Sequence, residues 1–232
     1  MKKISVRNAL YLSIGIIFLM WLRKIIQNTY YIDLVLKLAQ SNLFFLSAMV
    51  NGIVTVLIVT LLLRLSKENY KDIGFDTQNI LKQLGNGFLF GVLLFILDTF
   101  LIGTIVDVLL PKTSVEGIDM SKLFNNLYFL PVWIFISVFK GGFSEELWRI
   151  FALTRFEKCF GKPGLLFALI LGSVVFGFGH LYQGVGGMLS IAILGLLYAL
   201  VYLRKRSAFE AVFAHATFDI IAITLGYIIY YS

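Results

Sequence analysis

The sequence predicts an all-α fold, a polytopic transmembrane helical bundle of about seven or eight helices, and three observations carry that prediction. Hydrophobic residues make up 59% of the 232 and charged residues only 14%, where soluble domains average roughly 45–50% apolar and about 25% charged. The apolar residues gather in long uncharged runs, as lipid-facing helices require. Phe (22 residues) and Tyr (11) are abundant, and both suit lipid contact and the interfacial belts. No Pro/Ser-rich linker, low-complexity tract or internal repeat divides the chain, so residues 1–232 are read as a single integral membrane domain, a multi-pass protein of the cell membrane.

A spanning helix needs about 20 apolar residues. The segments that reach or approach this are 9–27, 43–63, 86–110, 123–139, 143–158, 164–181, 187–203 and 208–230. The first is short. It follows Met-Lys-Lys as a signal peptide would, but no small-x-small cleavage site follows Met20-Trp21-Leu22-Arg23-Lys24, so it is read as a retained helix. Leu43–Leu63 carries no charge and is the clearest span. Segment 143–158 is interrupted by charges, and Gly187–Leu203 ends at Arg204-Lys205-Arg206. The longest polar stretch, 65–85, is expected to form an interfacial helix.

The formal net charge is +7. Its basic residues cluster at Lys2-Lys3, Arg64/Lys67/Lys71, Arg155/Lys158/Lys162 and Arg204–Arg206, while 111–122 and 182–186 carry few or none. Placing the basic connections in the cytoplasm puts the N-terminus inside and the C-terminus outside, provided 143–158 does not cross by itself. Arg23 and Lys24 then fall on the opposite side. These loops read as topology signals facing anionic lipid, and nucleic acid is not an expected partner, since no aromatic–basic strip is present. Cys159 is the only cysteine, which excludes an intrachain disulfide; with both His residues remote in sequence, it reads as structural.

Ionisable residues within apolar segments carry the chemistry. They are Asp98 and Asp107, then Lys140, Glu145, Glu146 and Arg149, then His180, and finally His215 with Asp219. Each Asp, Lys or Arg at a helix centre costs roughly 2.5–3.5 kcal/mol, so these groups must pair or meet water. At about 100° per residue, Arg149 lies about 40° from Glu145 and about 60° from Glu146 on the other side. It can reach either carboxylate but hardly both, which leaves one Glu ion-paired and the other free to act as a base on water. In a soluble protein this would be a surface salt bridge; the apolar flanks Trp133–Phe139 and Ile150–Leu153 argue against that here. His180 ends the Gly-rich run Phe176-Gly177-Phe178-Gly179. His215 and Asp219, four apart, share a helix face, so the Asp either orients the imidazole or joins it as a ligand. Converging in one interior, two carboxylates, two imidazoles, an Arg and an Asp are an inventory for activating water against an amide. A carboxylate takes the proton, and a His or a metal stabilises the oxyanion.

These motifs resemble the CAAX protease and bacteriocin-processing (Abi) family of intramembrane peptidases. That family has Glu-Glu-x-x-x-Arg on one helix, Phe-x-x-x-His on a later one, and His-x-x-x-Asn or Asp near the end. Phe176/His180 and His215/Asp219 match the second and third, and the resemblance covers about residues 70–230. The first motif is Glu145-Glu146-Leu147-Trp148-Arg149, one residue short, so Arg149 is four from the first Glu rather than from the second. Asp219 stands where Asn is usual. The resemblance implies an all-α bundle and a catalytic set of Glu145, Glu146, Arg149, His180, His215 and Asp219, with Glu146, His180 and His215 as candidate ligands for Zn2+. The activity it implies is endopeptidase cleavage of a peptide or membrane-protein substrate at the lipid bilayer. The alternative is a non-catalytic immunity or regulatory protein on the same scaffold. An ion- or proton-coupled transporter using Asp98 and Asp107 is a third reading, without a repeat to support it.

Overall fold

In a computed structural model, residues 5–39, 43–110 and 126–232 are described. Among them the chain is helical, without a strand. The helices are α1 (Val6–Tyr30), the short α2 (Ile32–Ala39), α3 (Leu43–Leu65), α4 (Ile80–Leu109), α5 (Leu127–Phe178), α6 (Gly184–Lys205) and α7 (Ala208–Tyr231). All but α2 are long and apolar enough to cross a bilayer. Their outward faces are apolar too: Leu57 and Leu61 on α3, and Leu93, Phe100, Ile105 and Val108 on α4, are exposed. Water would not tolerate a belt of that kind on a monomer, whereas lipid does. The protein is therefore a multi-pass integral membrane protein.

Helix α5 is 52 residues long, and it folds back on itself. Gly161 takes φ 65°, ψ −152°, a conformation open to glycine because it has no Cβ. Pro163 follows, in the first turn of the second limb, where a missing N–H is harmless. Phe156 and Phe167 would lie about 16 Å apart along a straight helix; their ring centroids are 5.5 Å apart. Phe18 of α1 touches both rings. The two limbs thus lie back against one another rather than forming one straight rod.

One end of the bundle collects the basic clusters. Glu68 accepts from Arg155 at 3.0 and 2.5 Å and from Lys158 at 2.6 Å. Arg206 forks onto Glu157 at 2.6 and 2.7 Å. Ala208 N donates to Gly74 O, 2.9 Å. The Arg64–Lys71, Arg155–Lys162 and Arg204–Arg206 regions therefore share a face, as the charge pattern requires of a cytoplasmic side. Burial alone would raise the Glu68 carboxyl, but the Arg155 and Lys158 hydrogen bonds outweigh it and hold the group below the usual carboxylate range. A depressed folded-state pKa contributes stability that is complete above the unfolded value of about 4.3 and is lost as pH falls through the folded value. The melting temperature in detergent is expected to fall as the pH drops through that window. Glu68→Gln should flatten this acid limb, and an unchanged acid limb would show that the cluster is not coupled to folding.

Several expectations change. The 9–27 segment is a full 25-residue helix, and α4 begins at Ile80 rather than 86. Segments 123–139 and 143–158 are not separate: the described part runs unbroken through α5, because an internal pairing (below) neutralises the charges that seemed to interrupt it. The 65–85 stretch forms no interfacial helix beyond one 3₁₀ turn, Tyr70–Ile73, stopped by Gly74 in the left-handed region. The 111–122 connection and residues 123–125 lie outside the described residues.

Candidate active site

The site is built where the first limb of α5 crosses α7 and α6. Residues Ser137–Glu145 wind as a π-helix, and α-helical winding resumes at Glu146. This changes which side chains meet. In an α-helix residues five apart point about 140° away from one another; with i→i+5 hydrogen bonding they stack. Lys140 Nζ accordingly donates to Glu145 Oε1 at 2.6 Å. Arg149, on regular α-helix, turns to Glu146 three residues back and pairs with its Oε1. The two glutamates thus take different cations, and the arginine's partner is the second Glu.

Glu146 is fully buried, and Arg149 is 8% exposed. The same Oε1 accepts from Nδ1 of His215, 2.7 Å away. His215 Nε2 faces Asp219 Oδ2 at 3.7 Å. Tyr198 of α6 stacks on the imidazole, centroids 4.4 Å apart and planes 13° from parallel. Together these fix the ring: a carboxylate on one nitrogen, a second carboxylate near the other, and an aromatic plate on its face. The close approach of α5 to α7 depends on Gly141, since a Cβ there would fall on Asp219 Oδ2.

His180 stands at the end of the second limb of α5, before the 3₁₀ turn Leu181–Gln183. Its Nδ1 donates to Phe176 O at 2.9 Å, which leaves Nε2 with a free lone pair in the neutral ring. Phe176 is the hub. Its ring lies 4.9 Å from His180 and 5.9 Å from His215, with the Arg149 guanidinium 4.3 Å from its centroid. The two histidines of the chain are therefore one aromatic ring apart.

All six expected residues come to this region. Sequence reasoning did not assign Lys140, Tyr198 and Lys24 to it. Lys140 was visible as a charge in an apolar run, but its partner depends on the π-helical register. Nothing in the sequence marks Tyr198. Asp98 lies on a second π-helical stretch, Asp98–Ile102, with Oδ1 buried and without a partner among the described residues; Asp107 is exposed. Cys159 is free and packs beside the main core cluster.

The donor set for a metal was tested on this geometry. Among the described residues, no group of three His, Cys, Asp or Glu is placed to hold a metal ion. Glu146 Oε1 is taken by Arg149 and His215, and His180 Nδ1 by a backbone carbonyl. Glu146 keeps Oε2, buried and without a partner among the described residues, and His180 keeps Nε2; as placed, these residues and His215 do not form such a group.

A multi-pass helical membrane protein with a carboxylate–imidazole cluster, partly buried among its helices, defines the class. Residues 126–221, which hold all three motifs, match the family model described as type II CAAX prenyl endopeptidase, Rce1-like. The family resemblance is thus shown over that stretch, somewhat less than half of the chain. No curated protein and no solved structure matches.

Proposed function

We propose that the protein is an intramembrane endopeptidase in which Glu145 activates water against a peptide bond. The observation that carries this reading is the division of labour between the two glutamates. Glu146 is fully buried and its Oε1 is shared by Arg149 and His215, whereas Glu145 is held by a single lysine, and its side chain is 13% exposed. Glu145 is then the general base, and Lys140 keeps it ionised and in place. His180 offers its Nε2 lone pair to the same water. Glu145 then returns the proton it took from water to the leaving amine, while the Glu146 carboxylate fixes the tautomer and orientation of His215. Asp219, an acceptor when ionised, holds the far nitrogen of His215 rather than donating to an oxyanion. Burial within an apolar bundle strengthens each of these interactions.

The substrate class under this reading is a peptide or membrane protein presented from the bilayer. The test uses the purified full chain in detergent with a quenched fluorescent peptide library. Cleavage is expected, and it should persist after dialysis against a chelator. Activity lost on chelation and restored by Zn2+ would overturn the metal-free mechanism; no cleavage of any peptide by folded protein would overturn the enzyme. Asp219 in place of Asn favours a second reading, a non-catalytic immunity or regulatory protein. Cell protection against a toxin that survives Glu145→Ala/Glu146→Ala would support it.

A further inference from the structure

Lys24 lies on α1, far from the 126–221 stretch in sequence. By the charge pattern it sits at the wrong end of its helix. The structure gives the reason: its side chain turns inward across the backbone of Gly179. A Cβ on Gly179 would collide with the Lys24 side chain. The ammonium ends 5.3 Å from the centroid of Phe176, the ring that also touches Arg149, His180 and His215. Among the described residues no carboxylate forms an ion pair with Lys24, and Glu145 pairs instead with Lys140 at 2.6 Å. A half-buried lysine with a ring contact in place of a carboxylate keeps its three donors for another acceptor.

We propose that Lys24 is a specificity-determining residue that anchors a carboxylate of the bound peptide beside Glu145. The proposal rests on the peptidase reading for its substrate class, but its own evidence is the placement of the ammonium. The carboxylate comes either from an acidic side chain near the scissile bond or from the peptide's C-terminus. A residue that only balanced the charge of Glu145 would affect all peptides alike, and this is the distinction to measure.

Binding is read by fluorescence anisotropy on the full chain carrying Glu145→Gln, so that turnover is not needed. Peptides are compared in pairs: Glu against Gln beside the scissile bond, and a free C-terminus against an amide. At least one acidic member is expected to bind about tenfold or more tightly than its neutral twin, and the pair that discriminates identifies the source of the carboxylate. Adding Lys24→Met should erase the difference while leaving the neutral peptide unchanged. Lys24→Arg should keep part of it, and Gly179→Ala, which displaces the lysine, should mimic Lys24→Met. Discrimination that survives Lys24→Met, or equal weakening of both peptides, overturns the proposal. So does a Lys24-dependent response to anionic phospholipid without peptide discrimination. Absence of cleavage by the unmodified chain would sink the peptidase reading alone, since the binding data still decide the role of Lys24.

Discussion

Glu145→Gln is expected to lower kcat for peptide cleavage by about 10²–10⁴-fold, the usual contribution of a positioned base. The substitution keeps the size of the side chain and leaves an amide oxygen to accept from Lys140, which lies 2.6 Å from Oε1 in the native pair. Its effect on folding should therefore be small, and KM should move less than kcat, because the lost function is proton abstraction rather than binding. Glu145→Asp should recover part of the rate, since it restores the base but withdraws it by one methylene. The measurement is a steady-state assay of each variant, with thermal unfolding in the same detergent to show that the protein is intact. A folded Glu145→Gln variant within tenfold of the native rate would remove Glu145 from the role of base.

The second large effect is on stability. Glu146→Ala is expected to destabilise the protein by about 3–5 kcal/mol, the range for breaking a buried ion pair from one side. The cause is what remains: Arg149, 8% exposed, and His215, 6% exposed at the side chain, would both face an apolar interior with no carboxylate on Glu146 Oε1's side. Removing the cation as well should relieve most of that cost, so Glu146→Ala/Arg149→Leu should be clearly more stable than Glu146→Ala alone. Contacting residues that share a network show such non-additivity. Denaturant or thermal unfolding of both single variants and the double variant supplies the cycle. Strictly additive costs would mean that the pair is not coupled in the folded protein.

The contrast between these predictions shows how far the sequence reached. A helical wheel at 100° per residue offered Arg149 to either glutamate and could not choose. The choice was made by Ser137–Glu145 winding as a π-helix, which stacks Lys140 on Glu145 and leaves Glu146 to Arg149. No local signal announces that winding. It coincides with the tight crossing of α5 over α7, where Gly141 and Gly142 let the backbones approach. The ends of segments 123–139 and 143–158 were misjudged for the same reason. Lys140, Glu145, Glu146 and Arg149 looked like an interruption, but paired with one another and with His215 they are compatible with an unbroken span. The reversal at Gly161 agreed better with expectation, since the basic residues around it already asked for a turn on the cytoplasmic side. Arg23 and Lys24 broke the charge rule, and the Lys24 side chain crosses Gly179 toward the Phe176 ring.

By itself the sequence determined what composition and order can determine: a helical membrane bundle, most of its apolar runs, and a group of ionisable residues that the fold brings near one another. Apolar run length follows from bilayer thickness, and an ionisable group in such a run is too costly to be incidental, so both are legible without coordinates. Only the tertiary structure decided partners. Those depend on helix winding, on the crossing of α5 with α7, and on which lone pair each neighbour has already taken, quantities set by contacts between residues far apart in the chain.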